Sequence, residues 1–235
     1  SEARGKASRS KPSVDMPAHR AKHDGVNLLL FRPAEIARPL PASDPRCRHL
    51  RDVLRRQAGD EFDAGLLNGP RGKGRIETMT DAALSFSFRW EAESEAADPV
   101  SLLVGLARPQ TARDILRDAT TLGVAAIHFV AAERSEPSYA QSSLWRDGDW
   151  ERHAIAGAEQ AFATHLPVVT AGAPLAERLA ALSADTVRLA LDNYEAEGPL
   201  ATQPLARRSA VALALGPERG WGPRDRAALR AHGFT

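Results

Sequence analysis

The chain has 235 residues, 43% of them hydrophobic, which is enough for one large domain or two small ones with a real core. A net charge of +1 gives no global attraction to nucleic acid, so any such binding needs a local basic patch. The single cysteine, Cys47, rules out an intrachain disulfide or a cysteine metal cluster. It fits a reducing, cytoplasmic setting, and no apolar run approaches membrane-spanning length.

Residues 1–25 are rich in Lys, Arg, Ser, Ala and Pro and poor in large apolar residues, and read as a disordered basic tail or an expression scar. Order is expected from Val26, with a strand over 27–31. Ser43 or Asp44 and then Pro45 predict a helix over 45–56, with Leu50, Val53 and Leu54 as its apolar stripe and Gly59 as its stop. Arg48, Arg51 and Arg55 would share one face of it and suit phosphate contacts. A strand over 61–66, a Gly-rich turn over 68–74 and a strand over 75–80 read as a hairpin. Arg71, Lys73 and Arg75 cluster on it as a second basic group. Leu84, Phe86, Phe88 and Trp90 alternate with Ser85, Ser87 and Arg89, the pattern of a half-buried strand. Residues 26–91 thus form a small, mainly β domain, and the acidic segment 92–99 is its linker.

After the linker the pattern becomes α/β. A strand over 100–107, a helix over 111–122 with Thr111 and Asp114 as a capping pair, and a strand over 124–130 make a βαβ unit, which requires a parallel sheet. Further helices are expected over 150–165, 175–182 and from 224 on, and strands over 167–170, 187–191 and 210–215. Gly157 interrupts its helix and either permits close packing or only weakens it. Residues 100–235 therefore form an α/β domain with helices on both sheet faces.

The sharpest segment is Leu215-Gly216-Pro217-Glu218-Arg219-Gly220-Trp221, where a buried strand enters a glycine-rich loop. Ligands of open parallel sheets bind at the carboxyl ends of strands, and glycines there let the main chain approach a ligand. No Gly-Lys-Ser/Thr and no G-x-G-x-x-G is present, so the loop is neither a P-loop nor a dinucleotide fingerprint. On its own such a turn is more often a plain connection. The histidines show no metal-ligand spacing and no metal is expected. His128, inside an apolar strand, reads as a satisfied core residue.

Four segments occur in one order: His49-Leu50-Arg51-Asp52-Val53-Leu54-Arg55 with Gly59-Asp60; Leu122-Gly123-Val124 with Glu133-Arg134-Ser135; Ala158-Glu159-Gln160 with Leu166-Pro167; and Gly216-Pro217-Glu218-Arg219-Gly220. Together they resemble the methyltransferase E family, which methylates N3 of a uridine in small-subunit (16S) ribosomal RNA with S-adenosylmethionine. The resemblance implies a PUA-like β-barrel that binds RNA, then an α/β trefoil-knot (SPOUT) domain, a homodimer and a cytoplasmic enzyme. It implies cofactor contacts from Leu191, Leu215, Gly216, Pro217, Glu218, Gly220 and Trp221, and catalytic roles for Arg134, Glu159 and Gln160. It also implies RNA contacts from the two basic groups above, and a further strand and an "LG…LR.ET" segment after Thr235 that complete the knot. The chain departs from the family pattern at Thr121, Ala163 and Arg219. The departures at Thr121 and Arg219 are the features that would suit an alternative, an RNA-binding relative without turnover. A nucleotide-binding oxidoreductase is a more distant reading, disfavoured by the missing fingerprint.

Overall fold

The computed structural model describes residues 28–92, 96–196, 198–203, 205–206 and 208–235. The expected disordered tail lies outside the described residues, as do residues 93–95 of the expected linker. Among the described residues no helix is long and apolar enough to cross a membrane.

The first sheet contains β1 (Leu29–Phe31), β2 (Leu40–Pro41), β3 (Glu61–Leu66), β4 (Arg71–Met79) and β5 (Ala83–Ala92), in the order β1-β3-β4-β5-β2. β1 and β3 are parallel and the other pairs antiparallel. The alternation read in β5 turns Leu84, Phe86, Phe88 and Trp90 onto one core with Phe31, Phe62 and Ile76. Phe88 stacks on Trp90 at 5.2 Å between centroids, and Phe31 meets Phe88 edge-on at 4.9 Å, geometries aromatic pairs favour.

Two expectations fail in this half. The turn read over 68–74 is confined to residues 67–70, because Gly72 and Gly74 belong to β4. A Cβ on Gly74 would stand 2.4 Å from the Phe62 ring, and one on Gly72 2.1 Å from Arg89 O. These glycines therefore make room inside the sheet, Gly72 where the β4–β5 register shifts. The helix read over 45–56 is also shorter. α1 (Pro45–Arg48) is capped by Asp44, whose Oδ1 accepts the Arg46 N–H, and passes into one π-helical turn, His49–Val53. Arg55 then takes φ +54°, and Arg56 N–H reaches back to Leu50 O, which ends the helix. Arg48, Arg51 and Arg55 accordingly do not share a helical face.

The second sheet is wholly parallel, with β6 (Asp98–Gly105), β7 (Val124–Ala131), β8 (Val168–Pro174), β9 (Val187–Leu191) and β10 (Val211–Leu215) in the order β8-β7-β6-β10-β9. The βαβ unit is present: α2 (Pro109–Thr121) links the paired strands β6 and β7. Leu102 and Val104 face α2, while Leu103, between them, faces α5 (Leu175–Ala180) and α6 (Pro223–Ala231), so helices cover both faces. α3 (Ser143–Arg146) and α4 (Trp150–Gln160) lie on the α2 side.

α2 starts earlier than expected. Arg108 is its N-cap residue and Pro109 opens its first turn, so Thr111 and Asp114 form no cap. α4 ends at Gln160 and does not run to 165. Phe162 takes φ +56°, and the segment after it bonds to the first sheet's 67–70 turn and β4. Asn68 N–H donates to Thr164 O, Leu166 N–H to Asn68 Oδ1, Thr164 Oγ1–H to Gly69 O and Arg71 Nη1 to Phe162 O. These contacts between distant segments outweigh continued helix. The expected linker is also narrower than 92–99, since Ala92 still pairs in β5 and Asp98 already pairs in β6.

Gly157 is a packing residue. A Cβ there would lie 2.2 Å from Arg117 O, so α4 crosses α2 at backbone contact.

Candidate active site at the carboxyl edge of the parallel sheet

Three strands deliver their carboxyl ends to one edge. β6 ends at Gly105, β7 runs into Glu133-Arg134-Ser135, and β10 runs into the loop 216–222. The loop lies directly on β6: a Cβ on Gly105 would be 2.3 Å from Pro217 Cδ and 2.6 Å from its nitrogen. Gly220 takes φ +69° and closes a turn in which its N–H donates to Pro217 O at 2.7 Å. A side chain there would be strained on that ground alone.

Glu218 anchors the loop to the start of α2. Its Oε1 accepts the Arg108 N–H at 2.9 Å. Burial opposes ionisation of this carboxyl. Hydrogen bonds from main-chain N–H groups and from Thr111, with the Arg108 charge, more than offset it and hold Glu218 below the usual carboxylate range. Its charge also lies at a helix N-terminus, where the helix dipole favours it. Glu218 is nonetheless exposed and borders the cleft beside Arg134, with one oxygen held by the Arg108 N–H.

Arg134 crosses from the β7 turn and donates from Nη1 to Arg219 O at 2.9 Å. With Arg108, Glu133, Ser135, Tyr139 and Arg219 it borders a cleft of about 300 Å³. On the other side of β10, Leu191 ends β9 in register with Leu215 and is 42% exposed, unusual for a strand leucine. It edges a cavity of about 270 Å³ with Asp192, Asn193, Ala196 and Leu200. Asp192 is tied to Arg226 of α6 in a nearly buried ion pair, and it also accepts the Tyr194 N–H at 2.9 Å. Burial works against its charge, but these bonds prevail and keep its acidity raised.

Trp221 does not lie where a cofactor-contacting side chain is expected. Its side chain is 1% exposed in the core with Leu103, Ala214 and Leu229, so it shapes the loop from beneath and is not a surface contact for a ligand. Glu159 and Gln160 lie away from the loop. α2 runs about 20 Å from the loop edge to the opposite edge, at 1.5 Å per residue over Pro109–Thr121. α4 packs on that far end, where Thr121 Oγ1–H donates to Gly157 O at 3.1 Å. Glu159 Oε1 accepts the Leu30 N–H of the first sheet at 3.1 Å, and Gln160 is exposed. Burial pushes the Glu159 carboxyl up, only partly countered by that bond and by Arg46. Within the chain these two residues and Arg134 do not converge.

The two basic groups are partly spoken for. Lys73 Nζ is 2.7 Å from Asp63 Oδ1, Arg71 holds Phe162 O, and Arg51 donates to Thr80 O. Arg48, Arg55 and Arg75 are exposed. His128 is satisfied as expected, with Nδ1 2.8 Å from Thr170 Oγ1, but it is half-buried and not in the core; that burial lowers its proton affinity.

A family model described as an RNA methyltransferase domain matches residues 94–235. Ribosomal RNA small subunit methyltransferase E of Treponema pallidum (strain Nichols) is 34% identical over 218 residues, covering 89% of this chain and 82% of that protein. The chain belongs to the methyltransferase E family. Ribosomal RNA small subunit methyltransferase E 1 of Borreliella burgdorferi is 26% identical, covering 89% of this chain and 88% of that protein. The fold matches the crystal structure of a ribosomal RNA small subunit methyltransferase E from Neisseria gonorrhoeae bound to S-adenosyl methionine, with a TM-score of 0.71 at 19% identity over 89% of this chain and 87% of that one.

For this methyltransferase E family member, Glu133 stood in a family segment without a role of its own, and the residues that sequence reading missed are Gly105, Asp225, Asp192 and Arg226. Only Asp225 left a local signal, an acid three residues after Gly222 at a helix start. The others act through contacts across the fold, which no local spacing encodes.

Proposed function

We propose that this chain transfers the methyl group of S-adenosylmethionine to N3 of a uridine in 16S ribosomal RNA. The observation that carries the reading is Arg134 braced on the glycine-rich loop beside an open cleft at the carboxyl edge of the parallel sheet. The family membership fits it.

The residues present fit the cofactor. Exposed Leu191 beside Leu215 offers an apolar wall for a base, and the open space over Gly220 lets a ligand reach main chain. Leu191, Leu215, Gly216, Pro217 and Gly220 would hold it, with Glu218 and Trp221 keeping the loop in shape. When bound, S-adenosylmethionine supplies an electrophilic methyl group on a sulfonium. The protein must do the rest. Neutral uracil carries a proton on N3, which has to leave before or during attack. Arg134, which borders the cleft, would stabilise the resulting anion or hold an adjacent phosphate. The Gly105–Pro217 contact fixes the loop over β6, and methyl transfer needs the groups that would hold the cofactor to be fixed in this way.

We read residues 26–91 as a PUA-like barrel that contacts RNA through exposed Arg48, Arg55 and Arg75, with Arg51, Arg71 and Lys73 beside them. Residues 100–235 we read as a trefoil-knot domain. The return of β10 between β6 and β9 is in keeping with that, as are the Thr235 main-chain bonds to Arg188 and Ala190 on the free side of β9. A homodimer acting in the cytoplasm, where small ribosomal subunits are made, completes the reading.

The test is incubation with tritiated S-adenosylmethionine and either 16S ribosomal RNA or small ribosomal subunits, followed by nucleoside analysis. Label in 3-methyluridine is expected. Cofactor binding without any transfer would refute the reading in favour of a non-catalytic RNA-binding relative.

A further inference from the structure

Two acidic side chains beside the glycine-rich loop are spent on main chain. Asp225, 7% exposed in the first turn of α6, accepts the Glu133 N–H with both carboxylate oxygens, at 3.2 and 3.0 Å. Its Oδ2 also accepts the Gly222 N–H at 3.0 Å. In return, Glu133 Oε2 accepts the Arg224 N–H at 2.9 Å. Glu133 lies so close over Gly222 that a Cβ there would stand 2.3 Å from Oε2. The turn after β7 and the start of α6 therefore clasp each other through reciprocal charge-assisted hydrogen bonds, a strong type of contact.

Arg134 is the next residue along. An arginine has many rotamers, so where its guanidinium rests depends on how firmly its own backbone is held. Here the N–H before it is fixed by Asp225, and its far end rests on Arg219 O of the loop that the same Asp225 steadies through Gly222. The clasp thus holds both supports of Arg134, its own backbone and the loop on which its guanidinium rests.

We infer that Asp225, together with Glu133, is a positioning residue for methyl transfer. It acts on the reaction through Arg134 and touches neither cofactor nor acceptor. This rests on the methyltransferase reading above.

The experiment is a double-mutant cycle in the intact protein. Methyl transfer to small-subunit RNA is measured for wild type, Asp225→Ala, Arg134→Ala and the double variant, with kcat and KM separated and the unfolding midpoint recorded for each. Asp225→Ala should lower kcat/KM roughly tenfold to a hundredfold, mostly in kcat, as expected for a group displaced by about 1 Å. The double variant should be no slower than Arg134→Ala alone, because the group being positioned is already gone. Asp225→Asn, which keeps one acceptor oxygen, should recover part of the rate. It also carries the cycle if Asp225→Ala does not fold. Losses that multiply in the double variant would make Asp225 a support of the fold only and overturn the inference. Unchanged kcat/KM in folded Asp225→Ala would overturn it as well. Full activity of Arg134→Ala would remove the object of positioning while leaving the methyltransferase reading intact. A wild-type protein that transfers no methyl group would defeat that reading and the inference together, an outcome told apart by the wild-type arm.

Discussion

Gly105→Ala separates the loop's geometry from ordinary stability effects. Gly105 ends a buried strand, where alanine should cost nothing by local preference and even gain a little backbone entropy. The fold reverses that expectation. The new Cβ would stand 2.3 Å from Pro217 Cδ and 2.6 Å from Pro217 N, whereas ordinary contact begins near 3.4 Å. The proline ring is stiff, so the loop itself must retreat by about 1.1 Å, the difference between 3.4 and 2.3. Gly216 and Gly220, which would contact the cofactor, lie on the moving segment. A displacement of about 1 Å in a positioning element costs up to roughly a hundredfold. Cofactor affinity should therefore fall about ten- to a hundredfold, equivalent to about 1.4–2.8 kcal/mol. Calorimetric titration of S-adenosylmethionine into folded wild-type and variant protein measures this directly. An affinity within about twofold of wild type would refute the claim that β6 sets the height of the loop.

Three further outcomes follow from the packing. Gly157→Ala should lower the urea midpoint, at a cost of about 1–3 kcal/mol for overpacking against Arg117 O, although helix propensity alone favours alanine by about 1 kcal/mol; a midpoint equal to or above wild type would contradict the α2–α4 contact. Glu159 has a raised folded-state pKa, so its stabilising contribution is greatest below the unfolded value of about 4.3 and is lost as pH rises through the folded value. Glu159→Gln keeps an acceptor for the Leu30 N–H and removes the buried charge, so it should be at least as stable as wild type at neutral pH, with any gain vanishing on acidification; unfolding at the two pH values checks this. Arg46 bridges Glu35 and Asp44 at 2.8 Å each. Its hydrogen bonds hold Glu35 low, and at Asp44 they overcome the opposing effect of burial. That stability is present above the unfolded carboxyl values and lost as pH falls through the folded ones. Arg46→Ala should cost about 1–3 kcal/mol at neutral pH and progressively less in acid, and a pH-independent cost would show that the ion pairs contribute little.

The sequence by itself determined the element types, because they are written in short-range periodicity. β3 and β9 were read to the residue, the alternation in β5 placed its aromatic core face, and the strand–helix–strand run after Asp98 required a parallel sheet. The glycine-rich loop after β10 was legible too, since a loop's character lies in its own residues. Tertiary structure alone decided where elements stop and what the site contains. α4 ends at Gln160 because the segment after it bonds to residues almost a hundred positions away. Gly72 and Gly74 read as a turn but serve as space under Phe62 and beside Arg89. Glu159 faces Leu30, while Arg134 faces Arg219 at the other end of α2. The Glu133–Asp225 clasp joins residues 92 positions apart. Spacing along a chain records only neighbours within a turn or two, whereas these contacts arise when the parallel sheet brings the ends of distant strands to one edge.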